Sequence, residues 1–353
     1  NDIAVVPTDT TPEGRVDVRV RTRETWTLGA EVSFALASDG DSRWKASLSE
    51  KNFLGYGFEV RGTAGRDLDA SYGRIALSMN RVQHTPLAAS LNVDERSDGH
   101  DRWFRVALPV RSDNQAWSAS FKAWDDRYAV RWYLSNAGVA GADPGSERRL
   151  YTLLPRERLG MQLDLMRRVS AASRGRVWRL GGGVRITNRD YDLGGSSQLL
   201  SDGRVQDLSY LGAHGQPLSR DSGAEVWPYV KVSSNGREWV ETRFLVRYGN
   251  AEDIPLSPAF TLLMGPTGPS LGTTMGRGGR AIAEVALQNW SKLGRTFLMQ
   301  RVDGRFVLGR EDDRNHRVDA VLGAFVRMGR NDRPFTLRTF VEGVHSNGLR
   351  GDQ

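Results

Sequence analysis

Residues 26–36 read Trp26-Thr27-Leu28-Gly29-Ala30-Glu31-Val32-Ser33-Phe34-Ala35-Leu36. Trp26, Leu28, Ala30, Val32, Phe34 and Leu36 are apolar. The residues between them, Thr27, Gly29, Glu31, Ser33 and Ala35, are polar or small. Successive side chains of an extended chain point to opposite faces, so this stretch is a β-strand with one greasy face and one hydrophilic face.

The same alternation recurs along the chain. Trp44, Ala46 and Leu48 alternate with Lys45, Ser47 and Ser49; Phe58, Val60 and Ala64 with Glu59, Arg61 and Thr63; Ile75, Leu77 and Met79 with Arg74, Ala76 and Ser78. Leu87 to Val93, Phe104 to Val110, Trp117 to Ala123, Leu159 to Leu165 and Trp178 to Ile186 follow the rule, as do 223–233, 237–249, 278–290, 294–308, 314–328 and 334–346. That makes roughly fourteen to sixteen strands. Turn-forming clusters such as Asp39-Gly40-Asp41, Ser97-Asp98-Gly99 and Ser234-Asn235-Gly236 separate them. Short turns near 53–57, 82–86, 111–115 and 170–175 alternate with longer connections near 136–147, 191–222 and 250–277.

Alternation alone also fits a soluble sandwich. Strand length and polar-face chemistry separate the two. The candidate strands run ~10–14 residues, enough to cross a bilayer when tilted. Their polar faces carry Arg, Lys and Glu, suited to a wet lumen. Trp26, Trp44, Trp103, Trp117, Trp227 and Trp290 fall near predicted strand ends, where an interfacial aromatic girdle belongs. The fold class expected is therefore all-β, a transmembrane antiparallel up-and-down β-barrel in the bacterial outer membrane.

Composition agrees. The 353 residues include 49 Lys+Arg and 42 Asp+Glu, for a net charge of +7, with 39 Gly, 13 Pro and no Cys. The missing cysteines exclude a disulfide framework, thiolate metal sites and a thiol nucleophile. Lys45, Lys51, Lys122, Lys231 and Lys292 are the five lysines; the other cations are arginines. A pI near 9.8 invites a nucleic-acid reading. The cations are strung singly along strands rather than clustered, so no nucleic-acid partner is expected. A mean hydropathy of −0.48 suits a barrel whose wall is half wet. The N-terminus lacks a basic region followed by an apolar run, so no secretory signal is read there. The longest charge-free stretch, Ile254 to Gly276, carries Pro255, Pro258, Pro266 and Pro269 plus four glycines. Such a density of breakers rules out a membrane helix and predicts a long loop.

Residues 16–57 carry a resemblance. Val16-Asp17-Val18-Arg19-Val20-Arg21 is a short strand leading toward Thr25-Trp26 and the first long strand. Two strands on come Asn52-Phe53-Leu54-Gly55-Tyr56-Gly57. This resembles the BamA/TamA-type outer-membrane surface-antigen superfamily, in which a POTRA domain feeds a barrel and an N-[FL]-[FL]-G-x-G turn joins barrel strands two and three. The match lies on Asn52, Phe53, Leu54, Gly55 and Gly57. The resemblance implies residues 1–22 as the end of a periplasmic POTRA-like segment or linker and 23–353 as the barrel. The family's lumen motif has its nearest counterpart at Leu349-Arg350-Gly351, where Asp352 replaces the expected aromatic, and the strands that should follow are missing. Truncation is the expectation.

Other motifs are set aside. Gly268-Pro269-Ser270-Leu271-Gly272 fits G-x-S-x-G but has no strand-to-helix elbow. His84, His100, His214, His316 and His345 lack metal-ligand spacing. Arg350-Gly351-Asp352 is too short to specify adhesion. Gly181-Gly182-Gly183 lies inside a strand and marks a bend or close backbone approach. Asp125-Asp126 and Asp312-Asp313 read as solvated loops. No catalytic residue, metal or cofactor is expected, and the chain is expected not to be an enzyme.

Three functions remain. In the first, which the resemblance favours, the barrel inserts or exports other envelope proteins. Its partners are outer-membrane lipid, client outer-membrane or secreted proteins, and periplasmic assembly factors. Its working part is a seam strand over 25–37, with Trp26, Leu28, Ala30, Val32, Phe34 and Leu36 facing lipid and an edge open to β-augmentation. In the second, lumen-facing Lys45, Arg61, Arg74, Arg105, Lys122, Arg131, Arg179 and Arg185 make a passive anion-favouring pore; the plainer alternative is that they neutralise the lumen carboxylates Glu31 and Glu59 and those of the loops. In the third, the barrel anchors an upstream enzymatic domain.

Overall fold

The structure is a computed structural model that describes residues 2–10, 16–23, 27–36, 42–66, 70–112, 114–133, 151–170, 175–191, 197–199, 205–207, 222–243, 251–274, 279–309, 315–330 and 333–347. A leading hairpin pairs β1 (Asp2–Thr10) with β2 (Val16–Arg23). The main sheet begins with β3 (Leu28–Leu36), β4 (Ser42–Glu50), β5 (Phe58–Arg66), β6 (Ser71–Met79), β7 (Ala88–Arg96) and β8 (Gly99–Leu108). It continues with β9 (Trp117–Tyr133), β10 (Tyr151–Arg168) and β11 (Arg176–Tyr191). Two short hairpins follow within connections, β12 (Ser197–Leu199) with β13 (Val205–Asp207), and β15 (Trp239–Arg243) with β16 (Ala251–Pro255). Around the second lie β14 (Gly223–Gly236) and β17 (Ala259–Thr267), then β18 (Arg280–Leu293), β19 (Thr296–Leu308), β20 (Asn315–Arg330) and β21 (Arg333–Asn347). The long strands form one 15-stranded sheet in chain order, β3 to β21. Each pairs antiparallel with the next long strand, giving the up-and-down, all-β architecture expected from the alternation.

β10 shows which face is which. Leu159, Met161, Leu163 and Leu165 are exposed, while Arg156, Asp164 and Met166 on the alternate positions are buried. Leu163 is 51% exposed and Asp164 only 6%. Apolar residues outside and charges inside invert the soluble arrangement and suit a wall with lipid outside and a polar lumen. On β3 to β8, Val32, Phe34, Leu48, Ile75, Leu91 and Phe104 continue the apolar outer belt.

The sheet curls toward its polar side. Arg185 on β11 forms a bidentate pair with Glu284 on β18, at 2.7 and 3.1 Å. Those strands are three spacings apart, about 14 Å across a flat sheet. Only a concave inner face brings the two side chains together. Trp227, Tyr229, Leu263, Ile282 and Val307 pack into a small apolar cluster on that face. A second cluster closes one rim: Ile254 of the β15–β16 hairpin is buried against Trp290, Phe297 and Phe325.

Three sequence expectations need correction. The stretch 254–276 is not one loop, since Ala259–Thr267 is wall strand β17. The prolines punctuate it: Pro255 ends β16, Pro258 precedes β17 and Pro269 opens a 3₁₀ turn. Pro266 lies inside β17, beyond Met264, its last residue paired with β14, so its missing N–H costs no bond to that neighbour. There threonines replace the ladder. Thr267 Oγ1 donates to the Val226 carbonyl at 2.9 Å, the Val226 N–H donates to Thr273 Oγ1 at 2.9 Å, and the Ala224 N–H donates to Thr274 Oγ1 at 2.8 Å.

The tryptophans do not form one girdle. Trp44 and Trp117 are exposed, but Trp227 is 0% exposed and Trp290 5%, both on the inner face. Trp103 faces the lumen as well, with the Lys122 ammonium 5.4 Å from its ring centroid. Their positions carry the parity of the polar residues, which outweighs nearness to a strand end. Trp26 lies outside the described residues. Asp125 and Asp126 are not in a loop but in β9, where the buried Asp126 accepts from Arg158 Nε at 2.7 Å. Asp312-Asp313 and Leu349-Arg350-Gly351 fall outside the described residues.

Candidate functional site

Two features of the wall have functional potential: its open ends and its charged inner face. β3 pairs only with β4, and β21 only with β20, so each presents an unpaired backbone edge among the described residues. Residues 30–35 of β3 are all exposed, and Val32 reaches 81%. The strand that the sequence marks as a seam is thus an end strand. Leu28, Ala30, Val32 and Phe34 lie on its outer face; Trp26 falls outside the described residues, as does the side chain of Leu36. Antiparallel neighbours alternate in direction, so the first and fifteenth strands of this sheet run the same way. They can meet only as a parallel pair, or each can pair antiparallel with one strand placed between them.

The turn motif stands where β4 meets β5. Phe53–Gly55 form a 3₁₀ turn. The Gly55 N–H donates to the Asn52 carbonyl at 2.9 Å, and the Gly57 N–H donates to Asn52 Oδ1 at 2.8 Å. Gly55 and Gly57 have φ of 79° and 72°, conformations that a Cβ disfavours, and Leu54 tolerates φ of 52° at the tip. Asn52 closes the turn with its side chain, which explains asparagine there. Phe53 lies tilted against Phe58, ring centroids 5.4 Å apart, while Leu54 is exposed.

The inner face gathers the sequence-selected charges into pairs. Lys45 bonds Glu31 at 2.6 Å, Arg61 bonds Glu59 at 3.0 Å and Arg74 bonds Asp94 at 2.6 Å. Arg185 belongs to a chain that crosses four strands. Glu284 holds Arg185 and approaches Arg305 at 3.6 Å, and Arg305 reaches Glu225 at 3.3 Å. Arg179 is buried; Arg131 lies in β9 with its side chain outside the described residues. Arg105 and Lys122 stand apart, directly opposite each other on β8 and β9.

Sequence reading missed the most connected group on this face. Asp164 accepts from the Tyr229 hydroxyl at 2.8 Å, Gln162 Nε2 at 3.0 Å, Ser120 Oγ at 3.1 Å and Lys231 Nζ at 3.1 Å. Its signal was parity: it sits between Leu163 and Leu165, whose outward direction fixes its own. Glu284 between Ala283 and Val285, and Tyr229 between Pro228 and Val230, carry the same mark. Ser270 lies exposed in the 3₁₀ turn after β17, with no helix behind it. Among the described residues no group of three or more His, Asp or Glu is placed to hold a metal ion. No described helix is long and apolar enough to cross a membrane, which leaves strand crossing open.

No protein-family model matches the chain, and no curated protein matches it. Among solved structures it is similar to the crystal structure of BamA from Haemophilus ducreyi lacking POTRA domains 1-3, with a TM-score of 0.35 and 10% identity over 98% of this chain and 75% of that one. It is also similar to CdiB from Escherichia coli, with a TM-score of 0.36 and 12% identity over 98% of this chain and 66%, just under two thirds, of CdiB.

Proposed function

We propose that the chain is the wall of an outer-membrane barrel of the assembly or translocation type, without catalytic activity, which handles client envelope proteins in extended form. The supporting observation is the free backbone edge that β3 and β21 each present among the described residues. An extended client segment laid along either edge pairs antiparallel with that strand and satisfies its free backbone groups. Main-chain bonds make such an addition tolerant of client sequence. The apolar outer belt supports the membrane location, since lipid alone among common solvents favours that face. The pairing of Lys45, Arg61, Arg74 and Arg185 with carboxylates weakens the reading as a uniformly cationic pore. The test is site-specific crosslinking during client insertion. Because the chain has no cysteine, each engineered one is unique. Ser33→Cys on β3 and Thr339→Cys on β21 should capture a client strand, and Ser78→Cys on the doubly paired β6 should not. Equal capture at Ser78, or none at either edge while insertion proceeds, overturns the reading.

A further inference from the structure

We propose that Arg105 and Lys122 form a binding site for a water-soluble oxyanion of the phosphate class on the lumen wall. The two residues are register partners on β8 and β9. Opposed residues of one antiparallel pair have Cβ atoms about 4.5–5.5 Å apart, and like charges placed so repel. Other opposed cations on this face, Arg158–Arg189 and Arg305–Arg317, include arginines that hold carboxylates: Arg158 on Asp126, Arg305 on Glu225 and Arg317 on Asp319. Neither Arg105 nor Lys122 forms an ion pair with a carboxylate among the described residues. Lys122 instead lies over Trp103 and Trp124, at 5.4 and 5.7 Å from their centroids. Asp101 and Asp126, four residues along the same two strands, line a neighbouring cavity with Lys122 and the two tryptophans. Asp126 is held by Arg158 and Arg156, and neither carboxylate forms an ion pair with Lys122 among the described residues. The nearer Asp164 already accepts from Ser120, Gln162, Tyr229 and Lys231.

The space beside the pair is a cavity of about 320 Å³ whose lining includes Ser90, Arg105, Ser120, Lys122, Asp164 and Lys231. Three cations and one carboxylate leave a local charge of +2, matched to a dianion. Ser90, the register partner of Arg105, supplies a hydroxyl donor. Arginine offers the planar fork that suits an oxyanion and lysine a point charge beside it. The site lies on the inner face, away from the apolar belt, so a dissolved anion rather than a lipid headgroup is its occupant.

The experiment is calorimetric titration of inorganic phosphate into the full chain, refolded in detergent at low salt. Binding should be saturable in the wild-type protein. R105Q and K122Q should each weaken it about tenfold or more, the worth of one charge-assisted bond. K45Q, which breaks a neutralised pair elsewhere on the wall, should leave it unchanged. K122E places a carboxylate opposite Arg105, so it should abolish phosphate binding while raising the thermal unfolding midpoint. That rise also shows that loss of binding is not loss of folding. Absence of saturable binding in wild type, equal affinity in K122Q, or a lowered midpoint in K122E overturns the proposal.

Discussion

Gly183→Ala should be among the most damaging single-methyl additions in the wall. Asp164, Gly183 and Tyr229 are successive register partners across β10, β11 and β14. The Tyr229 side chain crosses the middle strand to reach the Asp164 carboxylate at 2.8 Å, and it can cross only because Gly183 has no side chain. A Cβ there would stand 2.7 Å from the tyrosine oxygen and 2.8 Å from its Cζ, and would also strike the Leu163 carbonyl. Displacing the ring removes a hydrogen bond to a charged group, worth about 1.5–3 kcal/mol. Forcing a methyl into a filled site adds about 1–3 kcal/mol. Relief of glycine's extra chain entropy offsets up to about 1 kcal/mol. The net expectation is a loss of about 1.5–6 kcal/mol by the same three terms.

The assay is urea unfolding of the refolded protein in detergent or lipid. Gly62→Ala and Gly73→Ala are the controls, because a Cβ at either meets nothing within 4 Å. They should be neutral or slightly stabilising. In a Tyr229→Leu background the cost of Gly183→Ala should shrink by at least about 1 kcal/mol, the signature of direct coupling. Additivity in that cycle, or a Gly183→Ala cost equal to that of Gly73→Ala, refutes the claim that glycine makes room for the tyrosine.

Leu77→Arg, on the outer face of β6, should destabilise by roughly 2–4 kcal/mol if it sits near the bilayer midplane, whereas Ser78→Arg should be nearly neutral in the same lipid refolding assay. Glu284→Gln removes the charge shared by Arg185 and Arg305 and should cost about 1.5–3 kcal/mol in urea unfolding. Asn52→Ala, losing the side-chain bond to the Gly57 N–H, should cost about 1 kcal/mol and leave the strands intact by circular dichroism. Ser270→Ala should leave any hydrolase signal of the preparation unchanged, and labelling of Ser270 by a serine-reactive probe would contradict a non-enzymatic wall.

Local alternation was enough to reveal the wall, because the facing of a strand residue depends only on parity. Leu159 to Leu165 pointed outward as their sequence implied, and Asp164 inward with no further information needed. Three kinds of feature were hidden. β17 was masked by prolines, whose cost depends on whether a neighbour needs their N–H; that is a property of the β14 register, not of residues 259–267. Trp227 and Trp290 were misplaced because closeness to a predicted strand end was weighed above parity, and Asp126 because an acidic pair resembles a loop. The pairs Arg185–Glu284 and Arg305–Glu225 join residues far apart in the chain, and only strand order and curl bring them together. The lumen charges, and Glu31 and Glu59 as carboxylates beside them, were therefore legible one by one, but not the pairings with Glu284 and Glu225, nor the absence of a carboxylate pair at Arg105 and Lys122.

Among the described residues β3 and β21 each keep one free backbone edge. In lipid, each unsatisfied backbone group costs several kcal/mol, so such an edge calls for a neighbouring strand. A strand laid antiparallel along either edge forms the slightly stronger of the two ladders. Under the proposed function that strand is a client segment, and main-chain pairing accepts it before any side chain is considered. Side chains at β3 then sort its two faces: Val32 and Phe34 hold the outer face at the lipid, while Glu31, Ser33 and the paired Lys45 keep the inner face wet.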